Sequence, residues 1–334
     1  MTTGTGQVLE ALRRANGAGC SGQSLSTELG VSRAAIWKHV ENLRRRGYRV
    51  EGAPNSGYAL TGLPDRLYSE EVCAGEPRRW LGREVHYLEE TDSTNRVAFE
   101  LAREGAASGV AVIAERQSAG RGRLGRTFFS PAHCNLYTSI VLRPDITIAE
   151  APTLILASAI GVAEAVAASL EDIGRVEIKW PNDVLIDGLK TSGILMEMNA
   201  EATKVDFVIL GIGVNLNVNR EQLPEEFRAR ATSLAAASGK PVDRIAFTRM
   251  LYGILEDVFD QHSQNGFTSL RGRFDSWFRM PGRSVEVHGM TGESLAGTVR
   301  GIAVDGALEV ERADGSLERV IAGDVTLSGD GAPR

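Results

Sequence analysis

The sequence predicts an α+β protein of three domains: an N-terminal winged helix-turn-helix, a central mixed α/β domain and a small C-terminal β-barrel. Three observations indicate this fold class. Helical patterns and then a hairpin pattern occupy residues 1–64, helical and strand patterns alternate through residues 65–279, and short strand patterns separated by glycine turns follow in residues 280–334. With 334 residues, of which 43% are apolar, the chain is long enough for two or three domains with a buried core.

The first domain has the pattern of a helix-turn-helix. Apolar residues at helical spacing cover residues 7–14 and 24–29, and Gly30 supplies the tight turn before a third helix, which Ser32 caps. This third pattern continues to Leu43 and is expected to present its first residues in the manner of a recognition helix. The candidate DNA contacts are Ser32, Arg33, Trp37 and Lys38.

A hairpin pattern and an excess of positive charge support DNA binding by this domain. Strand patterns at residues 48–51 and 57–60 flank a turn at 53–56, which predicts a wing. Residues 1–64 carry eight Lys/Arg and four Asp/Glu, a balance of +4 in a chain of −6. The arginines at 44–46 lie where they could contact DNA phosphates. A net charge of +4 is modest for a DNA-binding domain, so we expect a specific operator complex to need a dimer. The alternative is a small helical domain that binds another protein.

The central domain contains one distinctive segment, residues 117–126, with the sequence Gln-Ser-Ala-Gly-Arg-Gly-Arg-Leu-Gly-Arg. Its glycines allow positive φ and close approach of the backbone to a ligand, and its arginines offer planar cationic forks for carboxylate or phosphate. The segment lacks the ending of a Walker A loop, and strand patterns at 110–114, 127–129 and 135–142 surround it. We expect a loop that wraps an anionic small molecule; the alternative is a solvated loop or a weak RNA contact.

Four other segments place polar side chains beside predicted strands or helices. Residues 90–95, Glu-Thr-Asp-Ser-Thr-Asn, precede a helical pattern, and an ordinary N-cap explains them equally well. Lys-Trp-Pro-Asn-Asp at 179–183 separates two strand patterns and is unusual for a generic turn. Lys190 follows a predicted turn, where a solvated lysine is the alternative. A strand pattern at 207–212 runs into Gly-Val-Asn-Leu-Asn at 213–217, a bend with exposed amides.

Composition indicates the class of protein. The longest apolar region, residues 152–170, is alanine-rich and contains Glu164, which favours a buried helix over a membrane span. No secretory leader is visible. Cys20, Cys73 and Cys134 show no metal-ligand spacing, so we expect free thiols and a cytoplasmic protein.

The domain boundaries are expected near residues 62–65 and 280–282. A helical pattern over residues 245–258 closes the central domain. The strand patterns of the C-terminal barrel are at 284–287, 294–299, 307–310 and 317–321.

Taken together, the motifs resemble those of the biotin protein ligases. The matching segments, in the family's order and approximate spacing, are Ser93-Thr94-Asn95, Gly120-Arg121-Gly122-Arg123-x-Gly125-Arg126, Lys179-Trp180-Pro181-Asn182-Asp183, Lys190 with Gly193-Ile194-Leu195, and Gly211-x-Gly213-Val214-Asn215. Because the likeness includes the helix-turn-helix, the chain resembles the bifunctional type that is also the biotin operon repressor. The resemblance implies a class II synthetase-like central domain and an SH3-like C-terminal barrel.

The resemblance also implies a two-step reaction. Biotin and ATP give biotinyl-5′-adenylate and pyrophosphate, and a lysine of a carboxylase's biotin carrier domain then accepts the biotin. Neither step needs a covalent enzyme nucleophile, so positioning and positive charge should provide the catalysis, with Arg123 and Lys190 as the catalytic residues. The implied biotin contacts are Ser93, Thr94, Asn95, Gln117, Gly120, Arg121, Gly122, Arg123, Lys190 and Gly193.

The implied ATP contacts are Arg121, Arg123, Arg126, Phe128, Lys179, Asn182 and Asn215. Asn182 and Asn215 are candidates for the nucleotide or for the Mg²⁺ that accompanies it, and no metal site of the protein itself is expected. A structural salt bridge explains Lys179 equally well. Leu124 stands where an additional arginine is common, and Phe128 stands where well-known members have tryptophan, so stacking is retained without the indole hydrogen bond.

The partners implied by the resemblance are the carrier domain, operator DNA and a second copy of the chain in a ligand-linked homodimer, with no membrane. Two other functions stay open. One is a repressor that senses biotin without activating it, against which the loop arginines and Lys190 argue. The other is a lipoate-type protein ligase, whose usual loop is differently spaced. His133 is assigned to packing or to the surface.

Overall fold

The computed structural model contains two compact units, Met1–Arg66 and Leu67–Arg334. The first unit is mainly helical and has one two-stranded sheet, and the second has a seven-stranded and a five-stranded sheet. The structure describes residues 4–53, 57–75, 78–289 and 293–327.

The N-terminal unit contains the predicted helix-turn-helix followed by a hairpin. Its elements are α1 (Gly4–Arg14), α2 (Gly22–Leu29), α3 (Arg33–Arg45), β1 (Arg49–Ala53) and β2 (Gly57–Gly62). Gly30 ends α2 with a φ of 65°, a left-handed conformation that suits glycine. The Ser32 hydroxyl caps α3 by accepting from the Ala35 N–H at 3.2 Å. The tip of the predicted wing, residues 54–56, lies outside the described residues.

A small apolar core holds these three helices together. The three helices contact one another, and Leu9 and Leu12 of α1, Leu25 of α2 and Ile36 and Leu43 of α3 are each no more than 1% exposed. Because one stripe of α3 is buried, the opposite stripe faces solvent. The exposed residues of α3 and its cap include all four candidate DNA contacts, Ser32, Arg33, Trp37 and Lys38.

The second unit begins at Leu67. Its helices are α4 (Ser69–Val72), α5 (Thr94–Arg103), α6 (Pro152–Ala167), α7 (Glu225–Arg228), α8 (Leu234–Ser238), α9 (Arg244–Asn265) and α10 (Arg271–Trp277). Its strands are β3 (Val85–Thr91), β4 (Ala111–Gln117), β5 (Leu136–Leu142), β6 (Val176–Lys179), β7 (Asp183–Ile186), β8 (Leu189–Glu201), β9 (Lys204–Val214), β10 (Ser284–His288), β11 (Ser294–Ile302), β12 (Leu308–Glu311), β13 (Leu317–Val320) and β14 (Asp324–Leu327).

The central sheet has the strand order β3-β4-β5-β9-β8-β7-β6 and is mixed. β3 and β4 run parallel, and the other neighbouring strands run antiparallel. Ile113 and Ile140 belong to the main core with α6 and α9, whereas Val112 and Val141 pack with Ala98 of α5. Because both faces of β4 and β5 are covered, their sequences are continuous apolar runs.

β8 and β9 form a long hairpin that extends past the neighbouring strand. β7 pairs with β8 from Leu189 to Gly193, whereas β9 pairs with it as far as Glu201. Among the described residues, the outer edge of residues 196–201 therefore has no strand partner.

The C-terminal sheet has five antiparallel strands in the order β13-β12-β11-β10-β14. The sequence patterns predicted four of these strands and missed β14. Val287 and Val299 join the same buried cluster as the central sheet. The Trp180 indole N–H donates to Gly306 O at 2.9 Å. The C-terminal sheet therefore packs against the central domain.

One predicted strand is wrong. Residues 127–129 do not form a strand, and Arg121 and Thr127 share only an isolated β-bridge. The reason is that Gly120 O accepts the Phe128 N–H at 2.8 Å, so this segment folds back over the preceding loop. Cys20, Cys73 and Cys134 are free thiols. In the described part of the chain, no helix has the length and apolar character needed to cross a membrane.

Candidate active site

Residues 118–127, which we call the ligand loop, follow β4 and form a tight arch. The Gly122 N–H donates to Arg126 O at 2.6 Å, and the Phe128 N–H donates to Gly120 O. A Cβ at Gly120 would lie 2.5 Å from Phe128 O, so this crossing of the backbone requires glycine. These bonds fix the positions from which the loop arginines extend.

Two arginines of the ligand loop join the central domain to the C-terminal sheet. Arg123 donates from Nη1 to Asn182 Oδ1 and from Nη2 to Gly323 O, both at 3.1 Å. Arg126 Nη2 lies 2.5 Å from Asp324 Oδ2 at the start of β14. The unpredicted strand β14 therefore contributes one side of the site.

The charges around these arginines are closely coupled. Burial raises the pKa of Asp324, but the hydrogen bond from Arg126 and the charges of Lys179 and Arg123 outweigh it, and the pKa lies below its usual value. Burial lowers the pKa of the Arg123 guanidinium, whereas the hydrogen bond to Asp324 raises that of Arg126. Asp324 is thus held as an anion among cations.

Lys190 reaches the same cluster from β8. Its Nζ lies 2.7 Å from Asp183 Oδ1. A Cβ at Gly193 would lie 3.1 Å from this Nζ, so the missing side chain leaves room for the ammonium group. The charge of Asp183 partly opposes the burial that lowers the pKa of Arg123, and it contributes to the raised pKa of Arg126. The predicted catalytic pair, Arg123 and Lys190, is thereby gathered around one carboxylate.

An open cavity lies beside this cluster, and Lys190 is one of its lining residues. The ring of Phe128 forms part of its wall and packs closely on β9 at Gly213, where a Cβ would lie 2.5 Å from Phe128 Cζ. The ring meets Tyr137 edge to face, with centroids 6.3 Å apart. The lining residues are Thr127, Phe128, Phe129, Lys190, Thr191, Ser192, Asn215, Leu223, Phe227 and Ala231. An aromatic wall with cations at one end suits a planar base that carries phosphates.

The two predicted asparagines both support the walls of this site. Asn182 accepts from Arg123 and donates from Nδ2 to a carbonyl of β8 at 2.8 Å. Asn215, which lines the cavity, donates from Nδ2 to Thr232 O at 3.1 Å and accepts from Asn135 at 3.3 Å. Much of their hydrogen-bonding capacity is therefore used within the protein.

A group of polar side chains lies at the start of α5, and we call Ser93, Thr94, Gln117 and Ser130 the polar pocket. Thr94 approaches Gln117 Oε1 with its N–H at 2.9 Å and with its hydroxyl at 3.1 Å. Gln117 donates from Nε2 to Ser130 Oγ at 3.1 Å. Ser93 occupies the N-cap position and is buried, yet its hydroxyl makes no capping hydrogen bond. The N-cap alternative therefore does not account for this side chain.

Arg121, the third arginine of the ligand loop, extends to a different place from the other two. Its Nη1 lies 3.8 Å from Glu197 Oε1 on β8, and its side chain is largely exposed. Glu197 in turn accepts from Asn95 Nδ2 at 2.8 Å. The loop is therefore linked to the buried polar residues at the start of α5.

Sequence analysis found the cations of this site and missed most of the groups that position them. The residues without a predicted role are Ser139, Asp183, Glu197 and Asp324. Ser139 lies inside an apolar strand pattern, and Asp324 belongs to the strand that the patterns missed, so neither carried a signal. Asp183 is within the Lys-Trp-Pro-Asn-Asp motif and offered one. In the described residues, no group of three or more His, Cys, Asp or Glu side chains is placed to hold a metal ion.

Three family models match the chain. Residues 6–59 match a helix-turn-helix domain, residues 87–215 match the biotin/lipoate A/B protein ligase family, and residues 282–328 match the biotin protein ligase C-terminal domain.

Curated relatives extend the likeness to almost the whole chain. The bifunctional ligase/repressor BirA of Bacillus subtilis is 35% identical over 322 residues, which cover 96% of this chain and 97% of the relative. The protein of the same name from Escherichia coli is 33% identical, with 94% of each chain covered. Among solved structures, biotin protein ligase from Aquifex aeolicus in complex with biotin and ATP is 29% identical, with a TM-score of 0.63 over 74% of this chain and 99% of that one.

Proposed function

Since the chain belongs to the family of bifunctional biotin ligases and repressors, we propose that it activates biotin with ATP and transfers it to a carrier protein. The resemblance inferred from the motifs is confirmed at the level of the family. The same chain represses transcription in response to biotin supply, since its helix-turn-helix accompanies the ligase domain as it does in the relatives.

In the first step the biotin carboxylate attacks the α-phosphorus of ATP. A P–O bond forms, the bond to the bridging oxygen of pyrophosphate breaks, and pyrophosphate leaves with its Mg²⁺. Both reactants are anions, so the enzyme must supply positive charge where they meet. Arg123 and Lys190 supply it, because both interact with Asp183 and Lys190 lines the cavity.

In the second step the neutral amine of the acceptor lysine attacks the acyl carbon of the mixed anhydride. The amide C–N bond forms, the acyl C–O bond breaks, AMP leaves and the amine loses its proton to solvent. The same cations stabilise the departing phosphate of AMP. No side chain of the enzyme forms a bond with the substrate in either step.

We also propose an assignment of the site residues, which this arrangement supports. The polar pocket holds the ureido ring of biotin, and the ligand loop covers its tail, with Ser93, Thr94, Asn95, Gln117, Gly120, Arg121, Gly122, Arg123, Lys190 and Gly193 as the biotin site. The cavity beside Phe128 holds the adenine, with Arg121, Arg123, Arg126, Phe128, Lys179, Asn182 and Asn215 as the ATP site. The aromatic ring of Phe128 and the apolar side chains of Leu223 and Phe227, which line the cavity, support the adenine position.

The N-terminal unit binds operator DNA through the exposed side of α3, at Ser32, Arg33, Trp37 and Lys38. Two copies of the chain form the repressing species when the adenylate is bound. The domains are residues 1–64, 65–279 and 280–334, the central one of the class II synthetase type and the last an SH3-like barrel, in a cytoplasmic protein. The antiparallel order of the five C-terminal strands supports the barrel.

The observation that carries this proposal is the gathering of Arg123 and Lys190 beside an aromatic cavity and a polar pocket. The test measures pyrophosphate released from ATP in the presence of Mg²⁺ and either biotin or lipoate. A second assay measures transfer of biotin to a biotin carrier domain. We expect biotin-dependent release and labelling of the carrier. Release with lipoate alone would indicate the lipoate type, and tight biotin binding without release would indicate a sensor.

A further inference from the structure

A buried carboxylate holds the main chain where the second unit begins. Glu115 on β4 is fully buried, and its Oε1 accepts the Leu67 N–H at 2.8 Å. Leu67 directly follows Arg66, the last residue of the first unit. The chain that leaves the N-terminal unit is therefore fixed, at its first residue in the second unit, by a side chain of the central sheet.

The same glutamate closes the base of the ligand loop. Glu115 lies just before the loop, and the returning chain meets it at His133, whose N–H donates to Glu115 O at 3.4 Å. His133 Nδ1 also lies 3.3 Å from Glu115 Oε2. Between these residues, the Gln117 N–H donates to Ser130 O at 3.4 Å. Because both ends of the loop meet at Glu115, a ligand that fixes the loop also fixes this carboxylate.

The two oxygens of Glu115 serve different elements. Arg244 on α9 donates from Nη1 to Oε2 at 2.8 Å, and both side chains of this ion pair are buried. His133 approaches the same oxygen, whereas Oε1 faces Leu67. Since a hydrogen bond weakens steeply as its geometry departs from the ideal, a small displacement of the carboxylate loosens the Leu67 amide.

We propose that Glu115 is a positioning residue that couples the ligand loop to the main chain at the junction of the two units. Biotin and ATP fix the loop, the loop holds the carboxylate, and the carboxylate holds the Leu67 N–H. The coupling rests on the proposed function, because it takes biotin with ATP as the ligands that fix the loop. It gives the ligand a route to the chain that carries the DNA-binding helices, alongside dimerisation.

Hydrogen exchange at two backbone amides of the full-length protein tests the coupling. The Leu67 amide donates to Glu115, and the Leu81 amide donates at 2.9 Å to Glu256 of α9, whose other amide donors are at residues 79 and 80. Leu81 thus reports the general stabilisation that any bound ligand gives. Biotin with ATP and Mg²⁺ should slow exchange at Leu67 roughly tenfold more than at Leu81.

Two substitutions of His133 form a matched pair. His133 has a φ of 63°, a left-handed conformation that both asparagine and glycine tolerate. His133→Asn retains an N–H donor close to the position of Nδ1, whereas His133→Gly removes it. We expect His133→Asn to keep the ligand-dependent protection of Leu67 and His133→Gly to lose it. Pyrophosphate release at saturating biotin and ATP should stay at the wild-type level in both variants.

Glu115→Gln provides a second arm at the carboxylate itself. Its single amide oxygen cannot replace both carboxylate oxygens, so its Nε2 must face either the Leu67 N–H or the Arg244 guanidinium, which are both donors. The ligand-dependent protection of Leu67 should be lost here too, so the test does not depend on one variant folding.

Equal slowing at Leu67 and Leu81 in the wild type, or protection of Leu67 that persists in His133→Gly, overturns the coupling while leaving the ligase assignment intact. Exchange at Leu67 that is faster in His133→Gly by the same factor with and without ligands also overturns it, because a purely structural contact behaves in that way. Wild-type protein that releases no pyrophosphate and shows no ligand effect at either amide overturns the proposed function itself, and the coupling with it.

Discussion

The Lys190 Nζ lies 2.7 Å from Asp183 Oδ1, and Lys190 lines the cavity. Gly193 has no side chain and therefore leaves space for the ammonium group. The ion pair is partly solvated, with 37% of the lysine side chain and 22% of the aspartate side chain exposed, so it contributes little to stability. In the proposed reaction, Lys190 places a cation where negative charge develops.

Lys190→Ala should therefore fold normally and lose adenylate formation by roughly 10² to 10³ in rate. The measurement is pyrophosphate release at saturating biotin and ATP. Lys204→Ala is the matched control. The Lys204 Nζ also lies 2.7 Å from an aspartate oxygen, Asp145 Oδ1, but this ion pair is exposed at the start of β9. Near-wild-type release by Lys190→Ala would remove it from the catalytic residues.

At this scale the sequence predicted charge better than it predicted geometry. Arginines and a lysine within glycine-containing motifs were recognisable, because cations beside glycines suit an anionic ligand. Asp324 and Glu197 were not, because each acts across the fold on a residue distant in sequence. Asn95 and Gly211 both stand in recognisable motifs, but the contacts of the Asn95 amide with Ser139 and Gly211 depend on the fold and could not be predicted from the sequence.

The arginines of the ligand loop connect the central domain to the C-terminal sheet. Arg123 donates to Asn182 on one side and to Gly323 on the other, so it holds the arch over the cavity edge. A loop fixed in this way should slow the escape of a bound adenylate.

Arg123→Ala should consequently release biotinyl-5′-adenylate faster, and the freed adenylate should label lysines of an unrelated bystander protein. The measurement is biotin on bystander protein mixed with the variant, ATP and biotin. Arg116→Ala, which removes an exposed arginine paired with Glu90 at the end of β4, is the control and should label no more than wild type. Labelling confined to the carrier domain, with adenylate synthesis undiminished, counts against the loop as a lid.

The packing of α6 against α9 contains a titratable group. His262 on α9 is buried, with its Nε2 2.8 Å from Thr153 Oγ1 on α6. Burial lowers its pKa, and the nearby charge of Glu150 only partly opposes this. The unfolded chain, with a histidine pKa of about 6.5, then binds more protons than the folded one in mildly acidic solution.

Stability from neutral His262 is complete above the unfolded pKa and is lost as the pH falls through the lower, folded pKa. Between pH 7.5 and pH 5, the wild-type melting temperature should therefore fall more than that of His262→Gln. His86→Gln on the exposed strand β3 serves as the control and should track wild type. Parallel falls for wild type and His262→Gln would show that this histidine does not couple folding to pH.

Elements were predicted well where they are apolar on one or both faces, as in α6, α9, β5 and β9. The elements that were missed or predicted wrongly are short or polar segments, because their conformation depends on contacts with residues distant in sequence. β3 and β14 are edge strands with mixed composition, and residues 127–129 satisfy the strand pattern but fold against Gly120 instead.

At the scale of the whole molecule, DNA binding and ligation are carried by different units. The side chains of Arg33 and Lys38 are exposed on α3, and the proposed catalytic residues Arg123 and Lys190 belong to the unit that begins at Leu67. Arg33→Ala and Lys38→Ala should weaken operator binding and reduce its dependence on salt, because each removes a cation from the DNA-facing helix. Pyrophosphate release and carrier labelling by both variants should stay at the wild-type level. A matching loss of ligation would show that the two activities share these residues.

Coupling between the two activities requires a surface that the ligand can change. Among the described residues, the outer edge of β8 at 196–201 has no strand partner, and an open edge can pair with a second copy of the same strand. Arg121 of the ligand loop lies 3.8 Å from Glu197 on this edge. A ligand that fixes the loop therefore also fixes side chains along the edge.

We expect biotin with ATP to shift the protein from monomer to dimer and to tighten operator binding, because a +4 module gains affinity when two copies bind a two-fold site. By linkage, operator DNA should favour the adenylate-bound dimer to the same extent. Sedimentation and operator titration, each with and without both ligands, measure the two effects.

Met198→Lys places a charge on the partly exposed edge and should weaken dimerisation and repression while sparing adenylate formation, whereas removal of residues 1–64 should abolish DNA binding alone. An oligomeric state and an operator affinity that do not respond to the ligands would refute the coupling, even with full ligase activity.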